Sequence, residues 1–356
     1  MKKNSLRRFL VFILSLTIFP LLSCSNPFDD WLNMSSSSEM IQSLTNGVRN
    51  ARVTVGIVQN GEMSFTVYGE NGRVLPNREY IYDIGSISKA ITGHLFARAI
   101  HENLVTLPDL DISIDNFLDL PHKNYYPTIR RLLTHTSGYK YQYAYFTPPR
   151  PEPFANPFYG VTRGMTLHHV RTIDLENKDY QFKYSNFGLA VAGLVLESIF
   201  NKDYTSLVNE YFRNLGLNST RVGNGTGNLS FHYRWNNGNP YIAAGGIVST
   251  VVDLMKFAQM QMDNTIPYAE YAYRIWAEDL DTVFDFPEIG NHTDAMGLGW
   301  HIDTSSNIIW HGGALDTFCT YIGFNVNEGI AVVVLSNIRS RIPTWIIGSQ
   351  IFKELR

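Results

Sequence analysis

Ser86-Ile87-Ser88-Lys89 sets a hydroxyl three residues ahead of an amine. Side chains at i and i+3 share one face of a helix, so the two become a nucleophile and its base if a helix begins at the serine. Gly85 permits a tight entry from the strand-like run 80–84, and residues 90–100 carry apolar side chains at helical spacing. At a helix N-terminus the macrodipole favours an alkoxide-like oxygen and disfavours a protonated Lys89. A lysine held toward its free amine can take the proton of Ser86. The spacing alone arises often by chance, so its meaning depends on what else the chain carries.

Tyr184-Ser185-Asn186 follows 98 residues after Ser86, just ahead of the helical pattern 187–200. A tyrosine beside a lysine can exist partly as phenolate, because the cation lowers its pKa. Tyr184 could then carry a proton from the serine hydroxyl to a leaving group. Asn186 offers both a donor and an acceptor to a substrate carbonyl or amide. The plainer reading is a helix start, with Ser185 or Asn186 as N-cap and Tyr184 as a core aromatic.

His311-Gly312-Gly313 comes after the apolar run 307–310 and before two strand-like runs, 317–326 and 329–335. Glycines on an edge strand let a ligand backbone approach and add main-chain hydrogen bonds. The amide N–H groups of Ala314 and Ser86 would form an oxyanion hole, where one donor is worth about 10²–10³ in rate. A turn with a surface histidine is the alternative.

Taken together, these segments resemble the penicillin-recognising serine acyltransferases: class C β-lactamases, low-molecular-weight D-Ala-D-Ala peptidases, and esterases of the same fold. The family pattern is S-x-x-K, then Y-x-N, then a lysine or histidine followed by x-G. Ser86/Lys89, Tyr184/Asn186 and His311/Gly313 match it. Residues 129–138, ending Leu132-Leu133-Thr134-His135-Thr136-Ser137-Gly138, look like the family's "LLTHTSG" segment. Ala243-Ala244-Gly245-Gly246-Ile247-Val248-Ser249-Thr250, followed by Asp253, looks like its "AGG-x-x-ST-x-x-D" segment. The resemblance runs from about Ala51 to the C-terminus. His135 is read as a structural histidine of its segment rather than a catalytic base.

The elements that must position these residues are legible in outline. Runs 53–59 and 62–68 flank Asn60-Gly61, a strong hairpin signal. Further strands occupy 298–336, and a helix-like run covers 343–355. Mostly helical patterns lie between, including 87–102, 187–200, 204–214 and 250–262. The expected fold is α+β, a β-lactamase/transpeptidase-like sandwich. Its antiparallel sheet comes from both chain ends, with flanking helices and a mostly helical insert. The resemblance implies an active site between sheet and insert. With 44% hydrophobic and 17% charged residues and no low-complexity linker, 39–356 reads as one domain.

Residues 1–23 read as a signal peptide. Lys2, Lys3, Arg7 and Arg8 precede a 14-residue apolar stretch, 9–22, too short for an ordinary membrane span. Leu21-Leu22-Ser23-Cys24 resembles a bacterial lipobox, in which Cys24 is lipidated; Leu22 is unusual there, so an ordinary signal or an uncleaved anchor stays open. Residues 24–38, with four consecutive serines, could act as a tether. The expected location is therefore the bacterial cell envelope, anchored to a membrane by lipid. Cys319 would have no disulfide partner after lipidation. Without the first 23 residues, 25 Lys+Arg face 32 Asp+Glu, a net charge of −7. Nucleic-acid binding would need a clustered basic surface that the sequence does not offer.

His101-Glu102 lacks the second histidine of a zinc helix, and no phosphate loop or G-x-S-x-G elbow occurs. No metal or organic cofactor is implied. The adjacent His168 and His169 read as a surface pair pointing apart.

The substrate is less constrained. His311 in place of lysine resembles D-Ala-D-Ala carboxypeptidases, D-aminopeptidases and esterases more than class C β-lactamases. A histidine there is a weak, pH-dependent cation for a substrate carboxylate. Arg339 and Arg341 could also meet one. Residues 139–159 hold five tyrosines, three phenylalanines and five prolines, which could wall the cleft. The reading is a serine hydrolase acting through a Ser86 acyl-enzyme, with Lys89 as base and Tyr184 as proton relay. Asn186, His311, Gly313 and Ala314 bind substrate. D-amino-acid or cell-wall peptides are the first choice of substrate, a short-chain ester the second, a β-lactam the third. A non-catalytic penicillin-binding receptor is the competing class.

Overall fold

A computed structural model describes residues 34–142, 156–178, 180–278, 280, 285–286, 291–339 and 343–356. Its centre is an eight-stranded sheet. In chain order the strands are β1 (Val53–Gln59), β2 (Glu62–Tyr68), β3 (Val74–Leu75), β4 (Ala295–Met296), β5 (His301–Asp303), β6 (Ile308–Ala314), β7 (Cys319–Asn325) and β8 (Ile330–Ser336). They lie in the order β3-β2-β1-β8-β7-β6-β5-β4, all antiparallel, so the first hairpin pairs with the last strand of the chain. The expected sheet from both chain ends is present. Asn60 and Gly61 both have positive φ, 54° and 79°, as a two-residue hairpin turn requires.

Helices cover both faces. Strand β8 shows why its sequence reads as a continuous apolar run. Ile330, Val332 and Val334 pack toward helix Thr344–Leu355 with Ile346 and Ile347, while Ala331, Val333 and Leu335 join the larger core on the other face. A strand buried on both sides has no polar alternation. On the larger-core face, helix Val251–Met262 sits close against β1 at Gly56, where a Cβ would meet Val251 and the Met255 sulfur at 2.6 and 2.8 Å.

Helix Ser37–Thr45 lies on the smaller-core face, inserting Met40, Ile41 and Leu44. Ser36 caps it by accepting from the Glu39 N–H, and the Ser37 N–H and hydroxyl donate to the Glu354 carboxylate. The stretch expected to be a tether through residue 38 therefore gives way to ordered structure before that point, because these serines cap and dock a helix.

Two further helices, Ser88–His101 and Asn186–Phe200, form the centre of the helical side. Both are buried over most of their circumference, which is why neither shows a sharp amphipathic stripe. Short strands Tyr82–Asp83, Ile247–Ser249 and Arg221–Val222 form a second small sheet that brings the Ser86 turn to its place. Among the described residues no helix is long and apolar enough to cross a membrane.

Candidate active site

The Ser86 turn is anchored from behind. Asp83 pairs with Val248, and the Ile84 N–H donates to the Ile247 carbonyl at 3.0 Å. Gly85 then takes φ +53°, and Gly85–Ile87 forms a single 3₁₀ turn running into the helix Ser88–His101. Ser86 thus sits one turn ahead of the α-helix rather than as its first residue, yet the predicted face holds. Lys89 Nζ lies 3.0 Å from Ser86 Oγ and donates to the Ala244 carbonyl at 2.7 Å.

Lys89 is completely buried, and loss of hydration pushes its pKa far below the usual lysine range. The expected direction is correct, but desolvation causes it where the sequence suggested the helix dipole.

The Tyr184 hydroxyl lies near enough to Ser86 for the two to interact. Its ring lies beneath the amine, with Lys89 Nζ 4.8 Å from the ring centroid. Burial raises the Tyr184 pKa, outweighing the opposing influence of Ser86. The expected partial phenolate does not fit the resting site: the amine meets the ring face, and burial favours the protonated phenol.

The helix-start reading of the following residues holds. Ser185 is the N-cap, accepting from the Gly188 N–H at 2.9 Å, and Asn186 opens the helix with its N–H donating to the Tyr141 carbonyl at 3.0 Å. The Asn186 side chain stays close to Tyr184 in sequence and is almost buried.

His135 fixes this segment. Its backbone has φ +60°, its Nδ1 accepts from the Ser185 N–H at 3.1 Å, and its carbonyl accepts from the Lys183 N–H at 2.8 Å. Its ring also packs on Tyr184, centroids 4.4 Å apart. The structural role expected for His135 is the one observed.

Strand β6 closes the site. Strand β5 pairs only as far as Trp310, so His311 to Ala314 run beyond it along an open edge. The Leu315 N–H bonds inward to the Phe318 carbonyl at 2.9 Å, and alternation along the strand turns the Ala314 N–H toward that edge. A Cβ on Gly85 would stand 3.1 Å from the Ala314 nitrogen, so the edge lies against the Ser86 turn. Gly313 also has a packing purpose: a Cβ there would come within 2.0 Å of the Ile84 carbonyl oxygen and 2.4 Å of Thr320 Oγ1. Its lack of a side chain lets strand and turn touch.

His311 is buried, not a surface residue. Its Nδ1 is 2.7 Å from the Gly312 carbonyl, which can only accept, so Nδ1 carries the proton and Nε2 a lone pair. Burial, then His301 and Lys89, push its pKa far down.

A family model described as Beta-lactamase matches residues 40–347. The chain belongs to the beta-lactamase family. Among curated relatives, Protein flp of Staphylococcus aureus strain N315 is 24% identical over 280 residues, 73% of this chain and 53% of that protein. The chain thus spans about half the length of the curated relatives it matches. Among solved structures, a beta-lactamase/D-alanine carboxypeptidase from Yersinia pestis, complexed with citrate, aligns with TM-score 0.69 at 17% identity, covering 89% of this chain and 96% of that one. The octameric penicillin-binding protein homologue of Pyrococcus abyssi aligns with TM-score 0.65 at 19% identity, covering 89% and 75%. At these identities the likeness shows a shared beta-lactamase fold.

Within that beta-lactamase fold, two contributors to the site were not singled out from the sequence. The Ala244 carbonyl holds Lys89, yet a backbone oxygen leaves no residue signature. His301, at the start of β5, stacks parallel to Tyr184 (centroids 6.4 Å) and lies 4.8 Å from His311. Burial lowers its pKa to about 3. The "ST-x-x-D" segment proves structural: Thr250 caps the helix that Val251 opens, and Asp253 accepts from the Ser219 N–H and the Thr220 hydroxyl, both at 2.8 Å.

Arg339 is exposed and lies 3.4 Å from the Asp316 carboxylate. Arg341, Cys24 and most of the aromatic stretch 139–159 fall outside the described residues. On helix Arg163–Thr172, His168 and His169 do not point apart; their rings meet edge-on at 5.7 Å.

Proposed function

We propose that the protein is a serine hydrolase that forms an acyl-enzyme on Ser86. The observation that carries this reading is the meeting of one hydroxyl with a buried amine at 3.0 Å and a protonated phenol, beside an open strand edge. Lys89, held toward its free amine, takes the Ser86 proton as Oγ attacks the substrate carbonyl. The tetrahedral oxyanion lies between the Ser86 and Ala314 N–H groups. Tyr184 gives its proton to the departing alcohol or amine, leaving a phenolate that the deacylating water reprotonates, while Lys89 keeps the Ser86 proton until Oγ leaves. Water then attacks the ester on Ser86, losing that proton to Tyr184, and Ser86 is released. Asn186 orients the acyl amide, and His311 faces the leaving side.

D-amino-acid peptides of the cell-wall type remain the first reading of the acyl donor. A short-chain ester is the second, favoured by a neutral His311 where a fixed cation would suit a C-terminal carboxylate. Export and lipidation at Cys24 belong to the same proposal; Cys24→Ala should release the protein from the membrane fraction.

The test is to incubate the purified soluble domain with fluorescent penicillin, a chromogenic ester, a chromogenic cephalosporin and a D-Ala-D-Ala peptide. Turnover of any of them, lost in Ser86→Ala, supports a hydrolase. Stable labelling by penicillin with no turnover of the others would show a receptor instead.

A further inference from the structure

The helix Ser88–His101 grips one backbone segment of the helical side through three of its side chains. Ser88 Oγ accepts from the Ile247 N–H at 3.2 Å, Lys89 Nζ donates to the Ala244 carbonyl at 2.7 Å, and Thr92 Oγ1 donates to the Ala243 carbonyl at 2.7 Å. Thr92 is completely buried, and its one hydroxyl proton also faces the Ser88 carbonyl at 3.1 Å. Both carbonyls can only accept, so the Tyr204 hydroxyl, 2.7 Å from Thr92 Oγ1, is the donor in that pair. The bonds therefore run from Tyr204 to Thr92 to Ala243, one peptide before the carbonyl that Lys89 uses. Tyr204 is itself buried at the head of helix Tyr204–Asn214, where its N–H donates to the Glu197 carboxylate at 3.0 Å. The helix they hold, Ile242–Gly245, has only four residues, too few to keep its shape unaided.

The place of the Ala244 carbonyl matters to the chemistry. A free amine has two N–H groups and one lone pair. With one hydrogen committed to Ala244, Nζ is held 3.0 Å from Ser86 Oγ and its lone pair is available to the hydroxyl. Once the proton has moved, the same carbonyl accepts from a full ammonium, which is the stronger bond.

We infer that Thr92 and Tyr204 are positioning residues for the base: they lock the Ala243–Ala244 backbone so that the Ala244 carbonyl stays on Lys89. The inference rests on the Ser86 acyl-enzyme reading and deepens it. Thr92 and Tyr204 act through that backbone and take no part in the proton transfers themselves.

A p-nitrophenyl alkylphosphonate isolates the step. Ser86 Oγ bonds to phosphorus as Lys89 takes its proton, and nitrophenolate leaves as the anion without a proton from Tyr184. Thr92→Val keeps the side-chain shape and removes the hydroxyl. Its limiting rate of phosphonylation should fall by about 10- to 100-fold, with the half-saturating probe concentration unchanged. Thr92→Ser should restore the rate. Tyr204→Phe should lower it in the same way, and decides the matter if Thr92→Val does not fold. An unchanged limiting rate, a change in the half-saturating concentration alone, or a loss that Thr92→Ser does not recover would overturn the inference. A wild type that is not labelled, or labelling that survives in Ser86→Ala, would instead sink the acyl-enzyme reading. Crystals of Thr92→Val then decide the clamp without chemistry: a displaced Ala244 carbonyl supports it, and a Lys89–Ala244 bond of unchanged length overturns it.

Discussion

Lys89 addresses Tyr184 through the face of its ring, 4.8 Å from the centroid, and not through the phenol oxygen. The relationship sets where the protons rest. The amine is driven toward its neutral form by burial, and the phenol keeps its proton for the same reason. Ser86, between them, has a base on one side and an acid on the other.

Removing the nucleophile is the simplest expectation. Ser86→Ala should lower turnover by about 10³ or more with an unchanged melting temperature. Steady-state kinetics with a chromogenic ester checks it, and near wild-type turnover would disqualify Ser86.

Tyr184→Phe keeps the aromatic packing on His135 and removes only the hydroxyl. A fall of about 10²–10⁴ in kcat is expected, the span usual for a proton-transfer group. A loss below tenfold would deny Tyr184 that role.

The buried amine also has a stability signature. Its folded pKa lies below its unfolded one, so between the two the unfolded chain binds more protons, and stability rises with pH toward the unfolded value near 10.5. Relative to Lys89→Met, the wild type should gain about 1.4 kcal/mol per pH unit across that window, measured by urea unfolding at pH 7, 8 and 9. A difference independent of pH would mean that Lys89 is charged in the folded protein.

Gly313→Ala would drive a methyl into the Ile84 carbonyl, separating the strand edge from the Ser86 turn. Loss of one oxyanion donor predicts a drop of about 10²–10³ in kcat. The thermal melt should also shift down. Wild-type kinetics in this variant would show that the edge is not part of the site.

How far this was legible in the sequence depends on which atoms do the work. The Asn60-Gly61 hairpin and the Ser86/Lys89 face follow from local spacing, and both are as expected. The helix Ser37–Thr45 was missed because a serine run reads as solvated chain. Its start signal was present all the same, Ser36 followed three residues later by Glu39. The Ala244 carbonyl had no signal, since any residue supplies the same oxygen. The protonation of Tyr184 and His311 turns on burial, a property of the packed whole that residue spacing does not carry.

The most direct measurement is the mass of the protein trapped during turnover. Rapid quenching in acid after mixing with an acyl donor, followed by peptide mapping, should find one acyl group on the peptide containing Ser86, absent from Ser86→Ala. An acyl group on another residue, or steady turnover with Ser86 never modified, would contradict the mechanism.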